Sequence, residues 1–238
     1  MQNPPITLVI PCYNSSETIE EVIDAALGEN FHEIICINNN STDETLRKLE
    51  KLPVLIVEEK VQGTIWARRA GAACAETEWL AMIDDDVVLQ PGWIAAMTEF
   101  LKIAPTASAI TGYVDTPLPS ALEWAKKILA CNCSLSPQEY YRHSQPLGAA
   151  TLIKRSSFLR HSQRPTLIGR DDAGGTLRGC GEDIEVFRKL TKAGERMFHC
   201  PEAKAIHRIE DWRKSDSYLR KLAKAYSSPG YVARIWTT

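Results

Sequence analysis

The run Trp79-Leu-Ala-Met-Ile83 carries no charged side chain and stops abruptly at Asp84-Asp85-Asp86. A strand that is apolar on both of its alternating faces belongs in the middle of a sheet covered by helices on both sides. Three adjacent carboxylates at its end repel one another unless a cation neutralises them, and a hard divalent ion with oxygen ligands suits them. Open α/β sheets place their ligands at the carboxyl ends of central strands. One short stretch thus predicts both a buried parallel strand and a metal site at its tip. The plainer alternative is a solvated strand-to-helix turn in which Asp85 or Asp86 caps the next segment.

The surrounding chain repeats the same grammar. Ile6-Thr-Leu-Val-Ile10 reads as a first buried strand with a turn at Pro11-Cys-Tyr-Asn14; Ser15 or Ser16 then caps a helix whose Ile19, Val22, Ile23, Ala26 and Leu27 share one face. Glu33-Ile-Ile-Cys-Ile37 is a second strand ending at Asn38-Asn39-Asn40, and Ser41 with Glu44 has the spacing of a capping box. Val54-Leu-Ile-Val57 is a third strand; Gln62-Gly63 leads into a helix from Thr64 that carries Arg68 and Arg69. Four strand-then-helix units predict a doubly wound α/β domain with a mostly parallel sheet. No Gly-x-Gly-x-x-Gly follows the first strand, which argues against an ordinary dinucleotide-binding domain.

Beyond the acids, Pro91 is placed as the first residue of a helix through Ile94, Met97, Phe100 and Leu101. The pattern then loosens into an α+β half, with strands at 108–111 and 147–153, a helix at 121–130, and short strands at 197–198 and 203–206. The glycine-rich stretch 170–181 reads as a mobile loop, and Gly181-Glu182-Asp183 opens a helix with Ile184, Phe187 and Leu190 facing inward. A basic helix follows at 215–226. The whole is read as one domain, with a donor half at 1–103, an acceptor half at 104–210 and a basic C-terminal segment at 211–238.

With 238 residues, 44% of them apolar, the chain can bury a full core. A net charge of −2 argues against a nucleic-acid partner, which requires a broad basic face. From Lys204 onward, however, eight Lys or Arg stand against three acids, so that segment is a candidate for peripheral contact with anionic lipid. Seven cysteines without a Cys-x-x-Cys pair do not make a disulfide framework, and Cys12, Cys36 and Cys74 read as small buried hydrophobes of a reducing compartment. Cys131, Cys133 and His143 have the wrong spacing for the common zinc sites. The start lacks a secretory signal and no run has the length to span a bilayer, so a cytoplasmic location is expected.

Taken together, these pieces resemble family 2 glycosyltransferases, the inverting enzymes of the nucleotide-diphospho-sugar transferase (GT-A-like) fold. Val9-Ile-Pro-Cys-Tyr-Asn14 is similar to the family's opening strand, and Asn38-Asn-Asn-Ser-Thr-Asp43 to its second-strand loop. Glu59-Lys-Val-Gln-Gly63 with Ala67-Arg68-Arg69-Ala-Gly71 looks like its donor-side helix start. Asp84-x-Asp86 matches the acidic metal motif, Gly181-Glu182-Asp183 the motif of the base, and His207 the C-terminal metal histidine. The resemblance implies a donor site of Pro11, Tyr13, Asn14, Asn38, Asn40, Gln62, Gly63, Arg68, Asp84 and Asp85. It further implies a UDP-sugar donor, a carbohydrate, lipid-linked or other hydroxyl acceptor, and a place in polysaccharide or glycoconjugate synthesis. Three positions depart from the pattern: Asn38 stands where Asp is usual, Arg69 where Asn is common, and Ala150 where an Asn would end Gly-Ala-Asn.

Residue chemistry supports the same reaction. When an acceptor hydroxyl attacks an anomeric carbon, the departing diphosphate gathers charge that a metal offsets. Asp86 is the first choice of metal ligand, with Asp84 on the ribose or the metal, and Asp85 either in the site or turned away into a backbone cap. His207 completes a set of oxygens plus one imidazole that suits Mn²⁺ somewhat better than Mg²⁺. The attacking hydroxyl needs a carboxylate to take its proton, a role that fits Asp183, with Glu182 beside it for acceptor hydroxyls. Arg68 is a candidate for the diphosphate or nucleobase. His32, His143, His161 and His199 are read as structural, and Trp66, Trp79 and Trp93 as core, whereas Trp124, Tyr140 and Tyr141 fall in the acceptor half. The competing enzyme is a nucleotidyltransferase, which usually opens with a Gly-rich loop where this chain has Pro11-Cys-Tyr-Asn14. The competing non-enzyme is an inactive sugar-nucleotide binding homologue.

Overall fold

Alternation in the first strand sets the architecture. In the computed structural model, which describes residues 4–118, 120, 148–166, 181–209 and 211–220, β1 (Ile6–Cys12) is buried along its whole length. Ile6, Leu8, Ile10 and Cys12 enter one core and Val9 the core on the opposite face, as a period of two requires. β1 pairs in parallel with β2 (Glu33–Asn38) and β4 (Trp79–Ile83), and β2 in parallel with β3 (Leu55–Glu58). The second half adds β5 (Val87–Leu89), β6 (Ala107–Asp115), β7 (Ala150–Lys154) and β8 (Arg196–His207). The eight strands form one sheet in the order β3-β2-β1-β4-β7-β6-β8-β5.

Helices cover both faces. α1 (Ile19–Leu27), α2 (Thr45–Leu49) and α4 (Trp93–Ile103) contribute Val22, Ile23, Leu49, Trp93 and Met97 to the first core. α3 (Thr64–Cys74), α5 (Arg155–His161) and α6 (Glu182–Lys192) contribute Ile65, Ala67, Phe158, Val186, Phe187 and Leu190 to the second. This is the doubly wound, mostly parallel sheet expected, continued by antiparallel pairings of β7 with β4 and β6 and of β5 with β8.

Topology then decides what meets at the strand tips. Because β7 runs against β4 with Ile83 opposite Ala150, the residues before β7 lie beside Asp84. Because β5 runs against β8 with Val87 opposite His207, the end of β8 lies beside Asp86. The acids and the distant histidine are brought together by register alone.

Several local expectations are corrected. α1 starts at Ile19 with Thr18 at its N-cap position and no side-chain cap from Ser15 or Ser16. The Thr18 hydroxyl donates instead to the carbonyl of Asp85 at 2.8 Å. Ser41 and Glu44 do not form a capping box: the Ser41 hydroxyl accepts from the Asn14 N–H, and Asp43 accepts from the Thr45 N–H at 3.0 Å. Pro91 precedes α4 rather than opening it; Gly92, at φ 88°, takes the turn, and the Glu29 carboxylate accepts from the N–H groups of Gly92 and Ile94. The two short strands at 197–198 and 203–206 are one strand whose register against β6 jumps from Cys200 to Lys204, a bulge around Pro201, which has no N–H to give the ladder. Cys74 is exposed at the end of α3, whereas Cys12 and Cys36 are buried. A helix ends there, so Cys74 is not part of a buried apolar run.

Gly71 shows how tightly α3 lies on the sheet. A Cβ there would stand 2.5 Å from Val9 Cγ1 and 2.7 Å from Ile37 Cδ1. Alanine gains helix propensity, yet overpacking of this kind outweighs it, and Gly71→Ala should cost about 1–2 kcal/mol. Urea denaturation measures this; an unchanged or raised midpoint would show that the helix can back away.

Candidate active site

The three aspartates fan out to three different partners. Asp84 Oδ1 accepts from Arg68 Nη2 at 2.6 Å. The Arg68 side chain is 5% exposed and that of Asp84 33%. Asp85 turns back toward β1, where its Oδ2 accepts from the Tyr13 N–H at 2.9 Å. Burial and the adjoining Asp86 charge raise its carboxyl to about 7. Asp85 therefore takes the backbone-cap alternative. Asp86 meets β8: its Oδ2 lies 3.1 Å from His207 Nε2, and its carbonyl accepts from the Arg208 N–H. The mutual repulsion expected of the triplet is relieved mostly by separate partners.

His207 is buried and its Nδ1 has no partner. Among the described residues, no group of three or more His, Cys, Asp and Glu side chains is placed to hold a metal ion. Asp86 and His207 are a pair, one hard oxygen donor and one imidazole. Their chemistry fits a divalent ion that draws its remaining ligands from a bound molecule.

The expected donor loops are zipped together. Asn14, at φ 50°, accepts from the Thr42 N–H with its side-chain oxygen, and Ser16 N–H donates to Asp43. Those two bonds tie the loop after β1 to the loop after β2. Asn38 Oδ1 accepts from the Ser41 N–H at 3.3 Å, and Asn40 Nδ2 donates to the Lys60 carbonyl and to Gln62 Oε1. Asn39, not singled out from sequence, does most here: it is buried, accepts from the Gly63 N–H at 2.8 Å and donates to the carbonyls of Glu59 and Val61. Gly63, at φ 135°, then starts α3. Pro11 is buried at the end of β1. A run of three asparagines reads as a loop; that its side chains lash neighbouring strand ends becomes visible only in the fold.

The first turn of α6 supplies the other wall. Gly181, at φ 101°, is its N-cap residue. Asp183 Oδ2 accepts from the Gly148 N–H and Oδ1 from the Ile184 N–H, both at 2.8 Å. Burial pushes the Asp183 carboxyl above the usual range, while Arg68 and these two N–H groups pull it down. Glu182 Oε1 lies 3.4 Å from Arg68 Nη1. Burial and the Asp183 charge raise Glu182 to about 7 against the pull of Arg68. Arg68 thus faces carboxylates, where a diphosphate or nucleobase contact was expected. Gly148, the first residue of the stretch compared with Gly-Ala-Asn, was given no role from sequence: a Cβ there would stand 2.8 Å from Asp183 Cβ and 3.0 Å from Arg68 Nη1.

For His161, His199, Trp79 and Trp93 the structural reading stands. His199 is buried against the Thr111 carbonyl and hydroxyl, and Trp79 and Trp93 are core. His161 lies 2.6 Å from Glu195, a carboxylate that also accepts from Ser157 and Arg160 and so joins α5 to the turn before β8. The expected helix at 121–130, Cys131, Cys133, His143, Trp124, Tyr140, Tyr141 and the glycine-rich 170–180 lie outside the described residues. Of the basic C-terminal helix, 216–220 are described, and Lys214 and Arg220 pair with Asp211 and Asp216.

The sequence profile described as Glycosyl transferase family 2 matches residues 7–162. An uncharacterized glycosyltransferase of Haemophilus influenzae is 32% identical over 124 residues, 48% of this chain and 38% of that protein. Succinoglycan biosynthesis protein ExoO of Rhizobium meliloti is 30% identical over 113 residues, 45% of this chain and 32% of that protein. The chain thus spans less than half the length of these relatives. Among solved structures, the glucosyl-3-phosphoglycerate synthase of Mycobacterium tuberculosis, in complex with Mn²⁺, uridine diphosphate and phosphoglyceric acid, superposes with a TM-score of 0.63 at 16% identity. It covers 98% of this chain and 79% of that one, a likeness of fold. The profile match takes in strands β2 to β7 with nearly all of β1, the zipped loops and the aspartate triplet, and the chain belongs to glycosyl transferase family 2.

Proposed function

We propose that this chain transfers a sugar from a nucleoside-diphosphate sugar to an acceptor hydroxyl with inversion at the anomeric carbon. The observation that carries the reading is the meeting, across one sheet edge, of Asp86 with His207 and of Asp183 with the Arg68–Asp84 pair. Asp86 and His207 would hold a divalent ion, Mn²⁺ or Mg²⁺, and that ion when bound offsets charge on the departing diphosphate. Asp183 sits at a helix N-terminus, where a carboxylate is favoured, and takes the proton of the attacking hydroxyl. Its raised pKa makes it a stronger base than an exposed Asp. Glu182 and Arg68 fix the surroundings of that carboxylate.

UDP is the favoured nucleotide, supported by the uridine diphosphate in the M. tuberculosis structure. A polysaccharide or glycoconjugate acceptor is supported by the succinoglycan relative, and a lipid-linked one fits the basic stretch 211–238, read as a peripheral contact on the cytoplasmic face. No helix among the described residues is long and apolar enough to cross a membrane. The donor half, 1–103, supplies Asp84 and Asp86; the acceptor half, 104–210, supplies Asp183 and His207. The reaction needs both.

Thermal unfolding with UDP, GDP or TDP, each with Mn²⁺ or with a chelator, tests this. A ligand that binds only the native state raises the melting temperature, so UDP with Mn²⁺ should stabilise and the chelator should remove the effect. Equal stabilisation with and without metal would remove the ion from the donor site.

A further inference from the structure

We infer that Arg68 is a clamp between the two halves of the site, a positioning residue that sets the base against the donor-side acids without touching the donor. The inference rests on the reading of Asp183 as the base. Arg68 divides its guanidinium: Nη2 to Asp84 at the end of β4 at 2.6 Å, Nη1 toward Glu182 at the start of α6 at 3.4 Å. It is 4% exposed, which leaves little surface to offer a diphosphate. Its Nη1 also lies against Gly148, whose N–H holds Asp183, so base, glycine and guanidinium form one packed unit.

The surroundings of that unit explain why an arginine serves. Arg68 and Asp183 line a mostly apolar pocket together with Ile65, Met82, Ile153, Phe158, Val186 and Phe187. Charges at such a boundary are poorly screened and interact more strongly than at an open surface. Arg68 Nε has no partner, and its ion pairs run through the two terminal nitrogens that face the acids. A planar fork meets two carboxylates on different elements with two nitrogens held in fixed geometry, whereas an ammonium gathers all its donors on one atom. Three carboxylates, Asp84, Glu182 and Asp183, surround the one cation, and burial of Arg68 is outweighed by their attraction, which keeps it charged. Without it, α6 and the end of β4 would present unpaired acids to each other.

The test compares Arg68→Met and Arg68→Lys with wild type and with Asp183→Asn. It measures UDP affinity with Mn²⁺ by calorimetry and release of nucleoside diphosphate from the nucleotide sugar the enzyme turns over. The clamp predicts that both Arg68 variants keep UDP affinity within about threefold and lose turnover about 10²-fold, as expected for a catalytic group misplaced by ~1 Å. Lysine should not rescue. If methionine weakens UDP and lysine restores it, Arg68 holds the diphosphate as a simple charge, and the clamp is wrong. Should Arg68→Met fail to fold, as judged by circular dichroism, Arg68→Lys decides alone by the same split. Turnover near wild type in the Arg68 variants, with Asp183→Asn slow, overturns the clamp and leaves the base in place. Near wild-type turnover in Asp183→Asn overturns both.

Discussion

Asp183→Asn should slow transfer by ~10²–10⁴, about 3–5 kcal/mol of barrier, while donor affinity stays within a few-fold. Asparagine keeps the size of the side chain, and its oxygen can still accept the Gly148 N–H, so the α6 terminus and β7 remain joined. What it loses is the capacity to take a proton. Glu182 lies next door but is committed to Arg68, which makes it a poor substitute. The wild-type pH profile carries a second signature. Asp183 is raised above the ordinary aspartate range by burial, so its rate should fall on acidification at a higher pH than for an exposed carboxylate. Steady-state transfer and donor calorimetry, run side by side, separate these effects. Near wild-type transfer by Asp183→Asn would place the base elsewhere.

Asp86→Ala should abolish metal-dependent donor binding, a loss of at least about 10²-fold in affinity, since changes even to groups behind a metal ligand cost 10–100-fold. His207 would be left as one imidazole without its carboxylate. The fold should survive, because the bond from the Arg208 N–H to the Asp86 carbonyl does not depend on the side chain. Stability should change by no more than about 1 kcal/mol. Calorimetry of UDP in the presence of Mn²⁺ checks this, and unchanged affinity would take Asp86 out of the metal site.

How much of this was legible in the sequence depended on the range of the interaction. Buried strands were readable because continuous apolar runs such as Trp79–Ile83 have no other home, and the doubly wound sheet followed from their alternation with helices. Asp86, His207 and Asp183 stood out in the sequence because each falls at the end or start of an element, and the fold sets Asp86 beside His207. Hydrogen-bond partners were not readable. Ser41 has the spacing of a cap, yet its hydroxyl is taken by Asn14, 27 positions earlier, a partner only the parallel pairing of β1 and β2 supplies. Asp85 shows the same limit: from sequence it lies either in the site or in a backbone cap, whereas in the fold its carboxylate accepts from the Tyr13 N–H. Gly148 entered the sequence reading only as the first residue of the stretch compared with Gly-Ala-Asn; its meaning lies in how closely Asp183 and Arg68 approach its backbone.

The central claim is that this sheet edge activates a nucleotide sugar. It is tested most directly by incubating the protein with a panel of nucleotide sugars and Mn²⁺ and measuring the free nucleoside diphosphate released by slow hydrolysis, which needs no knowledge of the acceptor. The account predicts release from at least one UDP-sugar, suppressed by a chelator and by Asp86→Ala, and strongly reduced in Asp183→Asn. Release that is equal in wild type and Asp86→Ala, or none from any sugar nucleotide that demonstrably binds, would contradict it.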